Sequence, residues 1–257
     1  MDVISAPDWR DWSGLPAMEG NTAARSSRPS PTTTLKGGGR REGHFTSRFA
    51  GGVEGLRVAY SPALGGIATV APDVEAVVRR VADRLAELGA IVEQVDPPID
   101  SDPVEAFHTL WFSGAAKITD HLAPEQRALL DPGLREICDQ GASYSALDYL
   151  GAVEVRMRLG HAMGDFHRTY DLLLTPTLPI TAFAAGREVP DGSSHHRWTG
   201  WTPFTYPFNM TQQPAASVPC GTDGTGLPVG AQLVGARHAD ALVLRASHAL
   251  YCSGLPL

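Results

Sequence analysis

The chain has 257 residues, 43% of them hydrophobic and 19% charged, with a formal net charge of −7. That is enough apolar material for one large domain or two small ones, and it excludes overall disorder. The acidic balance argues against nucleic acid as a partner, and no apolar run approaches the ~20 residues of a membrane helix, so no membrane partner is expected.

Residues 1–19 precede a tract, Gly20 to Gly52, in which aliphatic residues almost vanish among Ser, Thr, Gly and Pro. Six basic residues stand there against one acid. Such a segment has no face to bury, so 20–52 is expected to be a disordered linker before an ordered region at 53–257. GLRVAY (55–60) then predicts a short strand. In PDVEAVVRRVADRLAELG (72–89), Val74, Val77, Val78, Val81, Leu85 and Leu88 recur at helical spacing, with Asp73 placed to start the helix and Gly89 to end it. IVEQVDPP (91–98) predicts a second strand stopped by prolines. Strand, helix and strand make a βαβ unit with an expected right-handed crossover.

Asp102 to about His121 and Tyr144 to Thr169 predict helices. DLLLT (171–175) predicts a buried strand, and a long loop from Ile180 to Gly200 follows. AASVPCG (215–221) and PVGAQLVG (228–235) predict two strands joined by the turn TDGTG. ADALVLRASHAL (239–250) predicts an amphipathic closing helix. Strands alternating with helices and buried on both faces imply an α/β protein, an α/β/α sandwich with a mixed sheet.

Few residues carry obvious chemistry. Cys138, Cys220 and Cys252 are widely spaced and give neither a disulfide framework nor a zinc pattern. That usage fits a reducing compartment, and MDVISAPDWRDW has no secretory pattern, so a cytoplasmic location is expected. Asn209-Met210-Thr211 is a glycosylation sequon in form alone. His195 and His196 read as surface loop histidines, and His161 with Asp165 as an ordinary i, i+4 pair near His167. Cys220 ends a strand, but prolines and glycines flank it rather than the positive charge a thiolate needs, which makes it a buried structural cysteine. There is no Walker loop, and GTDGTG does not open a helix as a dinucleotide fingerprint would. No metal and no cofactor are expected.

One stretch stands out. TPFTYPFNMTQQPAASVPCG (202–221) is too broken for a long helix and too polar for a core strand. Together with LDYLGAVEVRMRLGHAMGDFHRTYDLLLTPTLP before it, and GLPVGAQLVG and RHADALVLRASHAL after it, it resembles the C-terminal half of amidase signature enzymes. GLRVAYSPALG with PDVEAVVRRVADRLAELGA is similar to the segment that precedes those blocks in the family. MDVISAPDWRDW resembles LDVIAGPDPRD, which ends the family's catalytic core, so 1–19 is expected to be a remnant of it. The resemblance covers nearly everything except Gly20 to about His44, and that tract is expected to be inserted or out of frame.

The resemblance implies hydrolysis of a carboxylic amide to acid and ammonia by a Ser–Ser–Lys triad, with a neutral lysine as base and backbone N–H groups for the oxyanion. In the family the triad lies upstream of the blocks matched here. Ser26-Ser27 and Lys36 fall in the linker, Ser193-Ser194 in a histidine-rich loop, and Lys117 in a helix matching non-catalytic family sequence. No catalytic residue is therefore carried over. What carries over is the substrate side of the cleft: Thr175, Pro176, Thr177, Phe204, Thr205, Asn209 and Gln213. Gln212 stands where the family has glycine, which strains the turn if that position needs φ > 0.

Three readings follow, each with a small-molecule amide as ligand. The chain is the C-terminal part of an amidase, inactive alone. It is one half of a split enzyme completed by an N-terminal amidase-core chain. Or it is a binding or scaffold module that kept the fold without the chemistry.

Overall fold

A computed structural model describes residues 51–254. The remnant expected at 1–19, nearly all of the linker expected at 20–52, Ser26-Ser27 and Lys36 lie outside the described residues.

The core begins with Val53, which is 2% exposed. Strand β1, Arg57–Tyr60, follows, then helix α1, Pro72–Glu87, and strand β2, Ile91–Gln94. α1 starts at Pro72, whose fixed φ suits a first helical turn, and Asp73 and Glu75 lie in that turn against the helix dipole. Its valine stripe and Leu85 are buried. Gly89 then turns the chain at φ 92°, and the Gly55 N–H donates to its carbonyl at 2.8 Å. β2 is shorter than predicted, because pairing to β1 ends before Pro97 and Pro98.

A helical excursion separates β2 from the next strand: α2 Val104–Thr119, α3 Pro124–Arg127, α4 Pro132–Ser143 and α5 Ala146–Phe166. Asp131 caps α4, and Ser145 forms a reciprocal capping box with Asp148 at the start of α5. Strand β3, Leu172–Pro176, is buried along its whole length. The long loop ends in a 3₁₀ turn at Trp198–Trp201. A short helix that no sequence pattern announces, α6 Tyr206–Thr211, comes next. Strands β4 (Ala215–Thr222) and β5 (Pro228–Gly235) and helix α7 (Asp240–Cys252) close the chain.

The five strands form one mixed sheet in the order β2-β1-β3-β5-β4. β1 runs parallel to β2 and β3, while β5 is antiparallel to β3 and β4. Leu172 and Leu174 face α1 and α7, together with Val58, Leu233, Val243 and Leu250. Leu173, one residue out of phase, faces α5 and α6 with Leu159, Met163, Phe204 and Phe208. Helices therefore cover both faces, as expected of an α/β/α sandwich. No helix among the described residues is long and apolar enough to cross a membrane.

Candidate functional site

The C-terminal end of β3 is where the sheet opens. Thr175 is wholly buried there, and its Oγ1 donates to the Pro176 carbonyl at 2.8 Å. Gln232, paired with Thr175 across β5, donates from Nε2 to Thr175 Oγ1 at 3.2 Å and to the Phe204 carbonyl at 2.8 Å. This buried amide ties the chain after the 3₁₀ turn to the sheet, and it satisfies a backbone carbonyl that water does not reach. Pro176 is buried opposite Ala231, and Phe204 is wholly enclosed.

Just beyond, a cleft of about 570 Å³ lies between the sheet end and the loop that begins at Ile180. Ser217 and Gly230 line it from the sheet, Thr177 from just past the end of β3, and Phe183 and Trp201 from the loop. Thr177 Oγ1 and Ser217 Oγ are 2.7 Å apart and hydrogen-bonded. Gly230 lies beneath them because no side chain fits: a Cβ there would sit 2.8 Å from Ser217 Oγ and 2.9 Å from Thr177 Oγ1. Phe183 meets Trp201 edge to face, with centroids 5.4 Å apart. The Trp201 indole N–H donates to the Glu188 carbonyl at 3.0 Å, which fixes the ring.

The loop is held from both sides. Thr181 Oγ1 donates to Asp223 Oδ2 at 2.8 Å, while Asp223 Oδ1 accepts from the Thr225 N–H, the Thr225 hydroxyl and the Leu227 N–H at the β4–β5 turn. The hydroxyls of Thr225 and Thr181 hold the Asp223 carboxyl down at about 2. At the other end, His108 Nε2 meets Thr199 Oγ1 at 2.8 Å, and burial lowers the pKa of that imidazole. Trp198 stands edge-on to Phe107 and Trp111 of α2.

Of the residues predicted to face a substrate, Thr177 lines this cleft, while Thr175, Pro176 and Phe204 are buried and are not among its lining residues. Thr205 is half-buried at the start of α6, and Asn209 is exposed on that helix. Gln213 turns inward, donating from Nε2 to the Gly235 carbonyl at 3.1 Å and accepting from Thr211 Oγ1 at 2.7 Å. Gln212 has φ 58° and ψ 38°, so the turn does need the left-handed conformation. Sequence patterns do not single out Ser217, Thr181, Phe183, Trp201 or Gln232. Only Gln232 carries a visible signal, an amide interrupting the apolar strand PVGAQLVG.

The remaining candidates have ordinary roles. The Cys220 thiol is buried, donates to the Val229 carbonyl at 3.3 Å and is pushed up to about 11 by burial, the reverse of an activated nucleophile. His195 and His196 are exposed, as are His161 and Asp165. His167 caps α5 and bonds the Tyr170 carbonyl through Nδ1 at 3.0 Å. The Ser193 hydroxyl accepts from the His195 N–H at 3.1 Å within its own turn. Lys117 is 80% exposed and paired with Asp120, whose hydrogen bond raises its pKa. Among the described residues no group of three or more His, Cys, Asp or Glu is placed to hold a metal.

The family model Amidase matches residues 15–244 of this chain. The chain belongs to the amidase family. An acylamidase of Rhodococcus erythropolis is 34% identical over 211 residues, 80% of this chain and 44% of the relative. An amidase of Pseudomonas putida is 32% identical over 179 residues, 68% of this chain and 38% of that one. The fold matches a bacterial aryl acylamidase of the amidase signature enzymes with a TM-score of 0.72 and 28% identity, over 82% of this chain and 46% of that one. This amidase-family chain therefore spans less than half the length of these relatives.

Proposed function

We propose that the chain supplies the substrate-facing side of a cleft in which a carboxylic amide is hydrolysed to acid and ammonia, and that alone it does not turn the amide over. The observation that carries this reading is the placement of the cleft. It opens at the end of β3, where the TPTLP loop and the strand AASVPCG meet, in a chain of the amidase family. Ligands of α/β sheets bind outside the carboxyl ends of strands for the same geometric reason: the loops diverge there.

Within the cleft, the Thr177–Ser217 hydroxyl pair hydrogen-bonds no histidine, lysine or carboxylate among the described residues. Lys117, exposed and held cationic by Asp120, is the opposite of the desolvated neutral lysine an amide hydrolase of this family uses as base. Nucleophile and base then come from other residues. Thr177, one residue past the end of β3, contacts the substrate, and Thr175, Pro176, Phe204 and Gln213 hold its surroundings in place. Thr205 and Asn209 reach a substrate large enough to extend over α6.

The edge of the sheet favours a separate or preceding core as the source of the triad. Among the described residues β4 pairs with β5 on one side only, and Ala215, Ser217 and Pro219 are exposed along it, beside the cleft. An unpaired strand next to a binding cleft suits a further strand from an amidase core.

The test is ammonia release from simple aliphatic and aromatic amides, by the purified chain alone and mixed with a polypeptide carrying a Gly/Ser-rich core and its lysine. Turnover only in the mixture is expected. Robust turnover by the chain alone that survives Lys117→Ala would overturn the proposal, and ligand binding without turnover in either preparation would point to the non-catalytic binding module.

A further inference from the structure

We infer that His108 is a positioning residue for the cleft: in its neutral form it holds, through Thr199, the 3₁₀ turn that carries Trp201, and on taking up a proton it lets that wall go. The cleft is then sensitive to pH whatever ligand it takes, which goes beyond the function proposed above.

Three consecutive residues fasten the segment that ends in Trp201 to the helical excursion. Arg197 donates to Glu136 Oε1 at 2.8 Å and to Gln140 Oε1 at 3.1 Å, both on α4. Trp198 stands edge-on to the Phe107 and Trp111 rings of α2. Thr199, which is 4% exposed, meets His108 Nε2 at 2.8 Å, and its hydroxyl has no second partner among the described residues. Of the three fastenings, only the last contains a group whose charge ordinarily changes between about pH 5 and pH 8. Trp201 follows Thr199 by two residues and lines the cleft against Phe183, so its place depends on the turn before it.

A neutral imidazole accepts at Nε2 from the Thr199 hydroxyl, and both groups are satisfied. A protonated ring can only donate there, and the buried Thr199 hydroxyl loses the acceptor for its own hydrogen. The surroundings also disfavour the charge. The His108 ring stacks on Phe112 with centroids 4.7 Å apart, and the Arg197 guanidinium lies 5.2 Å from that same phenyl ring. A protonated His108 would set two cations about one aromatic. Burial is the main reason the His108 pKa is lowered, and Arg197 adds to it, while Glu105 and Asp102 at the start of α2 pull the other way. Both acids are exposed, and Asp102 already accepts from the Tyr206 hydroxyl at 2.7 Å and the Val104 N–H at 3.0 Å. Glu136, the acid facing from α4, is paired with Arg197. The proton is therefore bound more weakly with the turn in place than without it. The fastening is complete above the ordinary histidine value of 6.5 and is lost as pH falls below it.

The experiment is proton–nitrogen correlation NMR on the 257-residue chain, following the Trp201 indole N–H, assigned with Trp201→Phe, from about pH 8 to about pH 5. The resonance is expected to move with a midpoint below 6.5, in step with titration of the His108 ring. His108→Gln keeps an uncharged acceptor for Thr199 and is expected to hold the resonance at its alkaline position throughout. His195 is the control, because its ring lies so close over Gly200 that a Cβ there would sit 2.1 Å from its Cγ. His195→Gln should leave the transition in place. Glu105→Gln changes an exposed residue outside the three fastenings and should move the midpoint to lower pH, which carries the test if His108→Gln does not fold. A Trp201 resonance that stays fixed while His108 titrates, or a transition that survives His108→Gln, would overturn the inference. So would a transition that disappears with His195→Gln, or a midpoint indifferent to Glu105→Gln. Turnover or its absence in the core-supplemented assay bears on the proposed function alone, because the resonances are read without ligand.

Discussion

Gln212 ends α6 in a left-handed conformation that costs a side-chain-bearing residue roughly 1–2 kcal/mol. Its side chain recovers part of that by accepting from Arg237 at 2.8 Å on the surface. Gln212→Gly is therefore expected to raise stability by about 1 kcal/mol, seen as a melting temperature a few degrees higher. Gln232 is the opposite case. Gln232→Leu leaves the Phe204 carbonyl buried without a donor, and a loss of about 2–3 kcal/mol in denaturant titration is expected. Asp223 sets an acid limit. Its carboxyl binds a proton more weakly when folded than when unfolded, so the ionised form contributes stability at neutral pH that is lost as pH falls from about 4 through about 2. Thermal melts across that range should show a steeper decline for the native chain than for Asp223→Asn. Of these residues, Gln212 was legible because a glycine was expected in its place. Asp223 and Thr181 were not, since 42 positions separate them and only the folded turn brings them together.

Helix α1 and helix α6 mark the two ends of what a sequence shows about its elements. α1 was plain, because six apolar positions at helical spacing between a proline and a glycine admit one reading. α6 was hidden by its prolines and its length. Six residues cannot sustain a helix on propensity, and this one stands because Tyr206, Phe208 and Met210 are buried by elements remote in sequence. The α2–α4 contact was equally invisible. Gly141 lies against the backbone of α2, where a Cβ would come 2.0 Å from the Phe112 carbonyl oxygen. Gly141→Ala must push the two helices apart. A loss of more than about 3 kcal/mol is expected, with the helical signal falling at a lower denaturant concentration. The cleft suffered from the same limit: Thr177, Ser217 and Trp201 come from three separate segments, and no spacing rule unites them.

Across the whole molecule, the mixed sheet was legible from the alternation of strands and helices, but its edges were not. Among the described residues β4 is one of two edge strands of the sheet, and its exposed edge is prone to self-association. Ala215→Lys, at an exposed position on that strand, should reduce light scattering at high protein concentration without moving the melting temperature. The strand order also bears on how the chain reaches its fold. β4 and β5 pair across a short turn, and β1 and β2 across a single helix, so both can form early from neighbouring segments. The seam between them is β1 against β3, where Arg57 and Asp171 bond across 114 positions. Closing that seam requires the helical excursion to loop back first, which raises the relative contact order and slows the step. The leucines of β3 are fully buried only when both neighbouring strands and the helices on both faces are in place, so the strand last to gain its partners is also the one with the most apolar surface to hide.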